Sequence, residues 1–178
     1  LGEPQKSLEF HEQSLRIAHE IGDWRRIGER LSNIGACNDA LRNYAKAIDN
    51  YEQALYFLHA LGYRKAEGET LIDLGTVHRN NGEVDKALKI WKEALDILNQ
   101  IEDPLAEKIE EQIEWYSRLF MIEDFTRDVI RSYLTRPPQA EEYFEEVSIM
   151  VNDSRLPNEI QALAKVLQKI LVGIKNPA

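Results

Sequence analysis

From Gln5 onward apolar residues recur at three- and four-residue intervals, and alternating patterns are almost absent. This spacing gathers the apolar side chains on one face of a helix and predicts an all-α chain. Between Pro4 and Pro104 there is no proline, and the stretch is dense in Ala, Leu, Glu, Lys and Gln, which lose little on entering a helix. Punctuation by glycine and polar turns places helix interiors over about Gln5–Glu20, Trp24–Leu41, Tyr44–Ala60, Arg64–Asn81, Val84–Ile101 and Pro104–Ile122.

Sliding the chain against itself reveals a 40-residue period. Leu31 matches Leu71, Gly35 matches Gly75, Ala54 matches Ala94 and Leu55 matches Leu95. One period upstream a third copy joins: Lys6, Lys46 and Lys86 align, as do Leu8, Ile48 and Leu88, His11, Tyr51 and Trp91, and Leu15, Leu55 and Leu95. Gly22 and Gly62 fall between units and Gly82 falls inside one, each where a residue free to take positive φ can end a helix. Each unit is therefore a helix pair. Gly35 and Gly75 stand mid-helix, where glycine costs about 1 kcal/mol relative to alanine, so close helix packing is expected there. Leu31, Ile34, Tyr51, Leu55, Leu71, Leu74, Trp91 and Leu95 are the expected core.

These residues resemble the tetratricopeptide repeat family. One unit reads Ile34-Gly35, Asn43-Tyr44, Ala47-Ile48, Tyr51 and Ala54-Leu55, and the next reads Leu74-Gly75, Gly82-Glu83-Val84, Ala87-Leu88, Trp91 and Ala94-Leu95. The longer period, with Ala18–Gly22 and Leu58–Gly62 as the added residues, is similar to repeats of bacterial multidomain signalling proteins and cell-polarity scaffolds. The resemblance covers residues 1–103 and implies a right-handed superhelix whose concave groove binds peptides or protein segments. Arg42 stands in place of the turn glycine, and Asn38 and His78 replace the usual aromatic of the first helix.

Leu1–Gly22 supplies only a second helix, so the first unit is partial and further repeats upstream are expected. Downstream the period decays, with Trp115 in the glycine place and Arg127-Asp128 in the Ala-Leu place. Residues 104–135 read as a degenerate fourth helix pair. Pro137-Pro138 then interrupts the helical pattern. Residues 139–178 form a C-terminal helical segment: an acidic helix over Gln139–Val151, a turn, and a helix capped by Asn158, with Ile160, Leu163, Val166, Leu167, Ile170, Leu171 and Ile174 as its apolar stripe and Gly173 at its close. That stripe is too wide to leave in water, and burial on the repeat array, in a second copy or against another domain would cover it.

Composition narrows the function. With 22 Lys and Arg against 31 Asp and Glu, the net charge of -9 repels nucleic acid and anionic membranes. A hydrophobic content of 43% with 30% charged residues fits a soluble, folded chain. Cys37 has no internal disulfide partner, and a cytoplasmic setting is expected. His11, His19, His59 and His78 lie singly, no glycine-rich phosphate loop is present, and the acids of Glu107–Glu114 read as a solvated helix face. No catalytic, metal or cofactor site is expected, and the chain reads as a non-enzymatic interaction module.

The resemblance implies that the first helix of each unit lines the groove. Its positions not spent on packing are Glu29, Ser32, Asn33, Ala36 and Asp39, then Glu69, Ile72, Asp73, Thr76, Arg79 and Asn80. Ser32 with Ala36, and Ile72 with Thr76, stand where carboxylate-clamping repeats carry Lys and Asn, which disfavours chaperone tails as partners. Glu29, Asp39, Glu69 and Asp73 suggest a basic or amide-bearing protein segment. The alternative is a self-assembly module working through its exposed ends or last helix.

Overall fold

The computed structural model describes residues 3–135, 140–153, 161, 162 and 164–169. Asn158 and Gly173, the Pro137-Pro138 pair, and Ile160, Leu163, Ile170, Leu171 and Ile174 of the expected stripe lie outside them. The described elements are α1 (Pro4–Ile21), α2 (Trp24–Ala40), α3 (Tyr44–Ala60), α4 (Arg64–Asn80), α5 (Val84–Gln100), α6 (Leu105–Thr135) and α7 (Ala140–Asn152), with no strand among the described residues. The chain divides into two compact units, Leu1–Tyr116 and Ser117–Ala178.

One turn design closes each of the helices α1 to α5. Residues 22, 42, 62, 82 and 102 all take positive φ, between 53° and 83°. At each, the residue's N–H donates to the carbonyl three positions back, and the next N–H donates to the carbonyl five positions back, as in Asp23 to Ala18 at 2.9 Å and Asn43 to Asn38 at 2.8 Å. This paired bonding satisfies the carbonyls that a helix end leaves open. Arg42 (φ 59°) and Glu102 (φ 53°) do the work of glycine, although a Cβ in this region costs about 1–2 kcal/mol. The repeat of 40 residues is thus two helix-and-turn halves of equal length.

Glycine also sets how closely the helices approach. A Cβ on Gly35 would lie 2.9 Å from the Tyr51 ring, and one on Gly75 would lie 2.5 Å from Cδ1 of Trp91. Seven residues earlier, a Cβ on Gly28 would meet Leu58 at 3.2 Å and one on Gly68 would meet Leu98 at 3.0 Å. The missing side chains give two large groups of each second helix a seat on the backbone of the first. Trp91 is 0% exposed, and its Nε1–H donates to the Ile72 carbonyl of α4 at 3.0 Å. Leu31, Ile34, Leu71 and Leu74 are buried as expected, while Leu55 and Leu95 are half-buried at the joints between units.

The places of the replaced aromatics are filled by buried polar groups with partners. Asn38 donates through Nδ2 to the Ile34 carbonyl at 3.0 Å, and Nδ1 of His78 lies 2.6 Å from a Glu83 carboxylate oxygen. Lys86 and His78 together hold the Glu83 carboxyl down at about 2. Cys37 is buried, and burial pushes its thiol up.

The expected fourth helix pair within 104–135 is instead one continuous helix, α6. Its position 122, one period beyond the turn residue at 82, carries Ile122, and no glycine or proline occurs between Leu105 and Thr135. A β-branched residue is a poor occupant of the left-handed region, so the helix runs on. Ala106, Ile109 and Ile113 of α6 pack with Ala87, Trp91 and Leu98, and Tyr116 lies on Trp91 with centroids 5.2 Å apart. Trp115, in the glycine place, is exposed to water. In the second unit Val147 of α7 and Ala164 and Leu167 are buried, Val166 is exposed, and the Gln168 amide donates to Ser148 Oγ of α7 at 3.1 Å.

Two outcomes test this packing by thermal or denaturant melting. Gly75→Ala is expected to destabilise by about 1–3 kcal/mol through overpacking against Trp91, more than Gly35→Ala, whose new Cβ meets the Tyr51 ring at 2.9 Å. Arg42→Gly is expected to stabilise by about 0.5–1 kcal/mol, because relief of the left-handed strain exceeds the added freedom of the unfolded chain. No change in either variant would contradict the assigned contact or turn.

Candidate functional site

Because each first helix is seated on its own second helix, α2 and α4 come to lie side by side and are joined by polar groups along their length. The Ser32 and Thr70 hydroxyls are 3.2 Å apart, and nearer the helix ends Asn80 Nδ2 donates to Asp39 Oδ1 at 3.1 Å. Between the two helices opens a cleft of about 300 Å³, lined by Glu29, Arg30, Ser32, Asn33, Leu58, Ala66, Glu69, Thr70 and Asp73.

The eleven candidate positions divide by what they touch. Glu29, Ser32, Asn33, Glu69 and Asp73 meet in the cleft. Asp39 and Asn80 bond to each other beyond it. Arg79 donates to the Tyr116 hydroxyl at 2.8 Å and to Asn80 Oδ1 at 2.7 Å, and its guanidinium lies 5.5 Å from the Tyr116 ring centroid, so it braces α4 against α6. Ile72 packs against the clusters of α4, α5 and α6, and its carbonyl accepts from both Trp91 and the Thr76 hydroxyl. Ala36 is exposed and takes no part in lining the cleft.

Charge in the cleft is unevenly compensated. Arg25 Nε donates to Glu29 at 2.9 Å, and Lys65 stands 3.9 Å from Glu69 but 3.0 Å from Asp103. Asp73 has neither a cation nor a hydrogen-bond donor paired with it among the described residues. Water reaches its side chain, yet protein on both sides strips enough hydration, and Glu69 and Asp39 stand close enough, that its carboxyl is pushed up to about 6. Burial first, then the carboxylates of Asp73 and Asp39, also push the Tyr51 phenol well above its ordinary range.

Arg30 and Thr70, equivalent positions one period apart, were not expected to line the site, although the period pairs them. Arg30 Nη1 donates to His11 Nδ1 at 3.5 Å, while its Nε is buried without a hydrogen bond among the described residues. Burial, and then Arg30, hold the His11 ring below its ordinary value. Leu58 and Ala66 give the cleft an apolar floor.

Side-by-side first helices, seated second helices and a cleft on the first-helix face define a helical-repeat solenoid. Family models described as tetratricopeptide repeat match residues 1–56 and 68–102. The chain belongs to the tetratricopeptide repeat family, whose domains generally mediate protein–protein interaction. No curated protein matches it. No group of three or more His, Cys, Asp or Glu among the described residues could hold a metal ion. No helix among them is long and apolar enough to cross a membrane.

The Asp73 carboxyl yields a test with a definite sign. A folded pKa above the unfolded value of 3.8 means the native state binds the extra proton, so this group's contribution falls as pH rises from about 4 through about 6. Asp73→Asn is therefore expected to raise the melting temperature at pH 7 and leave it unchanged at pH 3.5. The gain should be no more than about 1 kcal/mol, because water screens the side chain. A loss of stability at pH 7 would contradict the strained-acid description.

Proposed function

We propose that the chain is a non-catalytic protein-binding module that holds a basic or amide-bearing segment of a partner protein in the cleft between α2 and α4. The observation that supports this reading most directly is Asp73: an acid without a partner among the described residues, close to Glu69 and Asp39, in a cleft that three carboxylates, Glu29, Glu69 and Asp73, line against one cation, Arg30. A lysine or arginine side chain entering there would replace the lost hydration with a charge-assisted hydrogen bond and relieve repulsion among the three carboxylates. Asn33 and Ser32 offer donors and acceptors to the segment's amides, and the half-buried Ala66 gives the aliphatic stem of a long cation an apolar contact. With a net charge of -9, attraction begins at long range. The forty-residue period agrees with a scaffold or sensor role inside a larger signalling protein of the bacterial type, in the cytoplasm.

The test is binding of Lys- or Arg-bearing peptides, measured by calorimetry across a salt series. Wild type is expected to bind with affinity that falls as salt rises, and Glu69→Lys with Asp73→Lys should abolish binding of the basic peptides. Binding that survives both changes with the same salt dependence would remove the cleft from the account.

A further inference from the structure

Aromatic side chains gather at the edge of the first unit where α2 and α4 begin and α3 ends. Trp24 opens α2 and is 55% exposed. Its ring stacks on the half-buried Phe57 of α3, with centroids 5.8 Å apart and planes inclined by 15°. Tyr56, 73% exposed, meets the same Phe57 ring edge-on at 5.4 Å. Tyr63 stands just before α4 and is 40% exposed, with the guanidinium of Arg25, the residue next to Trp24, 5.6 Å from its ring centroid.

The 40-residue period shows that the fold does not require these rings. One period on, Trp24 becomes Arg64, Tyr56 becomes Asp96 and Tyr63 becomes Asp103; one period back, Tyr63 becomes Asp23. Asp23 accepts from the Arg26 N–H at 3.0 Å and Asp103 accepts from the Leu105 N–H at 2.9 Å, so each ties down a donor that a helix start leaves open. Tyr63 makes no such bond, and α4 begins without the cap that α2 and α6 have. An aromatic side chain that displaces a stabilising cap and stays in water points to a contact outside the chain.

The polar groups beside the rings narrow the partner. Arg25 is paired with Glu29 at 2.9 Å, Arg26 with Asp23 at 3.2 Å and Arg64 with Glu67 at 2.8 Å, so these cations already have their counter-charges. Among the described residues nothing accepts from the Trp24 Nε1–H, and the Tyr56 and Tyr63 hydroxyls have no hydrogen-bond partner. The edge therefore offers flat apolar faces and unused donors. A run of prolines is the complement: apolar rings, outward carbonyls that accept, no N–H to leave unpaired, and a polyproline II backbone that is extended before it binds. A helical partner would bring few such carbonyls, since its own are spent inside the helix. We infer that the edge formed by Trp24, Tyr56, Phe57 and Tyr63 docks a proline-rich segment of a partner protein, independently of what the cleft binds.

The experiment titrates the full chain with capped decaproline, which carries no charge, and follows the indole N–H resonance of Trp24. Saturable binding that moves this resonance and is insensitive to salt is expected, because the charges of the edge are paired internally. Trp24→Ala should weaken it by about tenfold or more, as loss of a central aromatic anchor does. Tyr63→Asp separates binding from folding: it should raise the melting temperature by restoring the cap, yet weaken decaproline binding by about fivefold or more. A Trp24 indole that decaproline does not move, or binding that neither substitution weakens, would overturn the inference. So would an equal response to a capped glycine–serine peptide of the same length, which lacks the preformed backbone. Sedimentation showing a concentration-dependent dimer that Trp24→Ala dissolves would overturn it too, by assigning the edge to a second copy.

Discussion

The contact on which the first unit depends is a large side chain pressed onto a bare helix backbone. Gly35 receives Tyr51 and Gly75 receives Trp91, while Gly28 and Gly68 receive Leu58 and Leu98 one helix turn pair earlier. Each mid-helix glycine costs about 1 kcal/mol of helix propensity. That cost is offset by full burial of some of the largest groups in the molecule, with the Trp91 indole also satisfied by a backbone carbonyl. Two seats per pair, seven residues apart, fix both the separation of the helices and their register. Every other arrangement in the unit follows from that rigid pair.

One consequence is the cleft. Once each first helix is locked on its second helix, stacking the pairs brings α2 beside α4 and sets Asp39, Glu69 and Asp73 near one another. A fold selected for stability alone would pair or neutralise such a group. Here Glu29 and Asp39 have internal partners and Asp73 has none among the described residues, so the uncompensated charge is concentrated at Asp73, where the proposed partner's cation would enter. Departures from local consistency of this kind belong to functional surfaces more often than to cores. The turns show the opposite policy, since all five are closed by the same bonding even where Arg42 and Glu102 must adopt a conformation better suited to glycine.

Much of the fold was legible because glycine and proline mark it. Predicted helix limits agree with α1 to α5 within a residue or so at each end, and Gly22, Gly62 and Gly82 turn as expected. The fourth pair was misread because apolar spacing continues past Ile122 whether or not the helix turns there, and only the identity of the turn residue distinguishes the two cases. The site was legible in part. Repeat arithmetic found Ser32, Asn33, Glu69 and Asp73, but whether a polar residue is spent internally depends on a side chain from another helix. The bonds from Arg79 to Tyr116 and from Asn80 to Asp39 span 37 and 41 residues, and no local pattern announces them. Arg30 was missed because its ring of neighbours comes from α1 as well as α4.

The central claim is that partner proteins are held on the face formed by α2 and α4. The most direct measurement is a map of backbone amide chemical-shift changes on titrating the chain with a Lys-bearing peptide, followed by the Asp73 carboxyl resonance as a function of pH. The account predicts changes centred on Ser32, Asn33, Thr70 and Asp73, with the Asp73 titration falling from about 6 toward the ordinary carboxylate range when the peptide is bound. Changes centred instead on the exposed Trp24 and Tyr56, with the Asp73 titration unmoved, would contradict it.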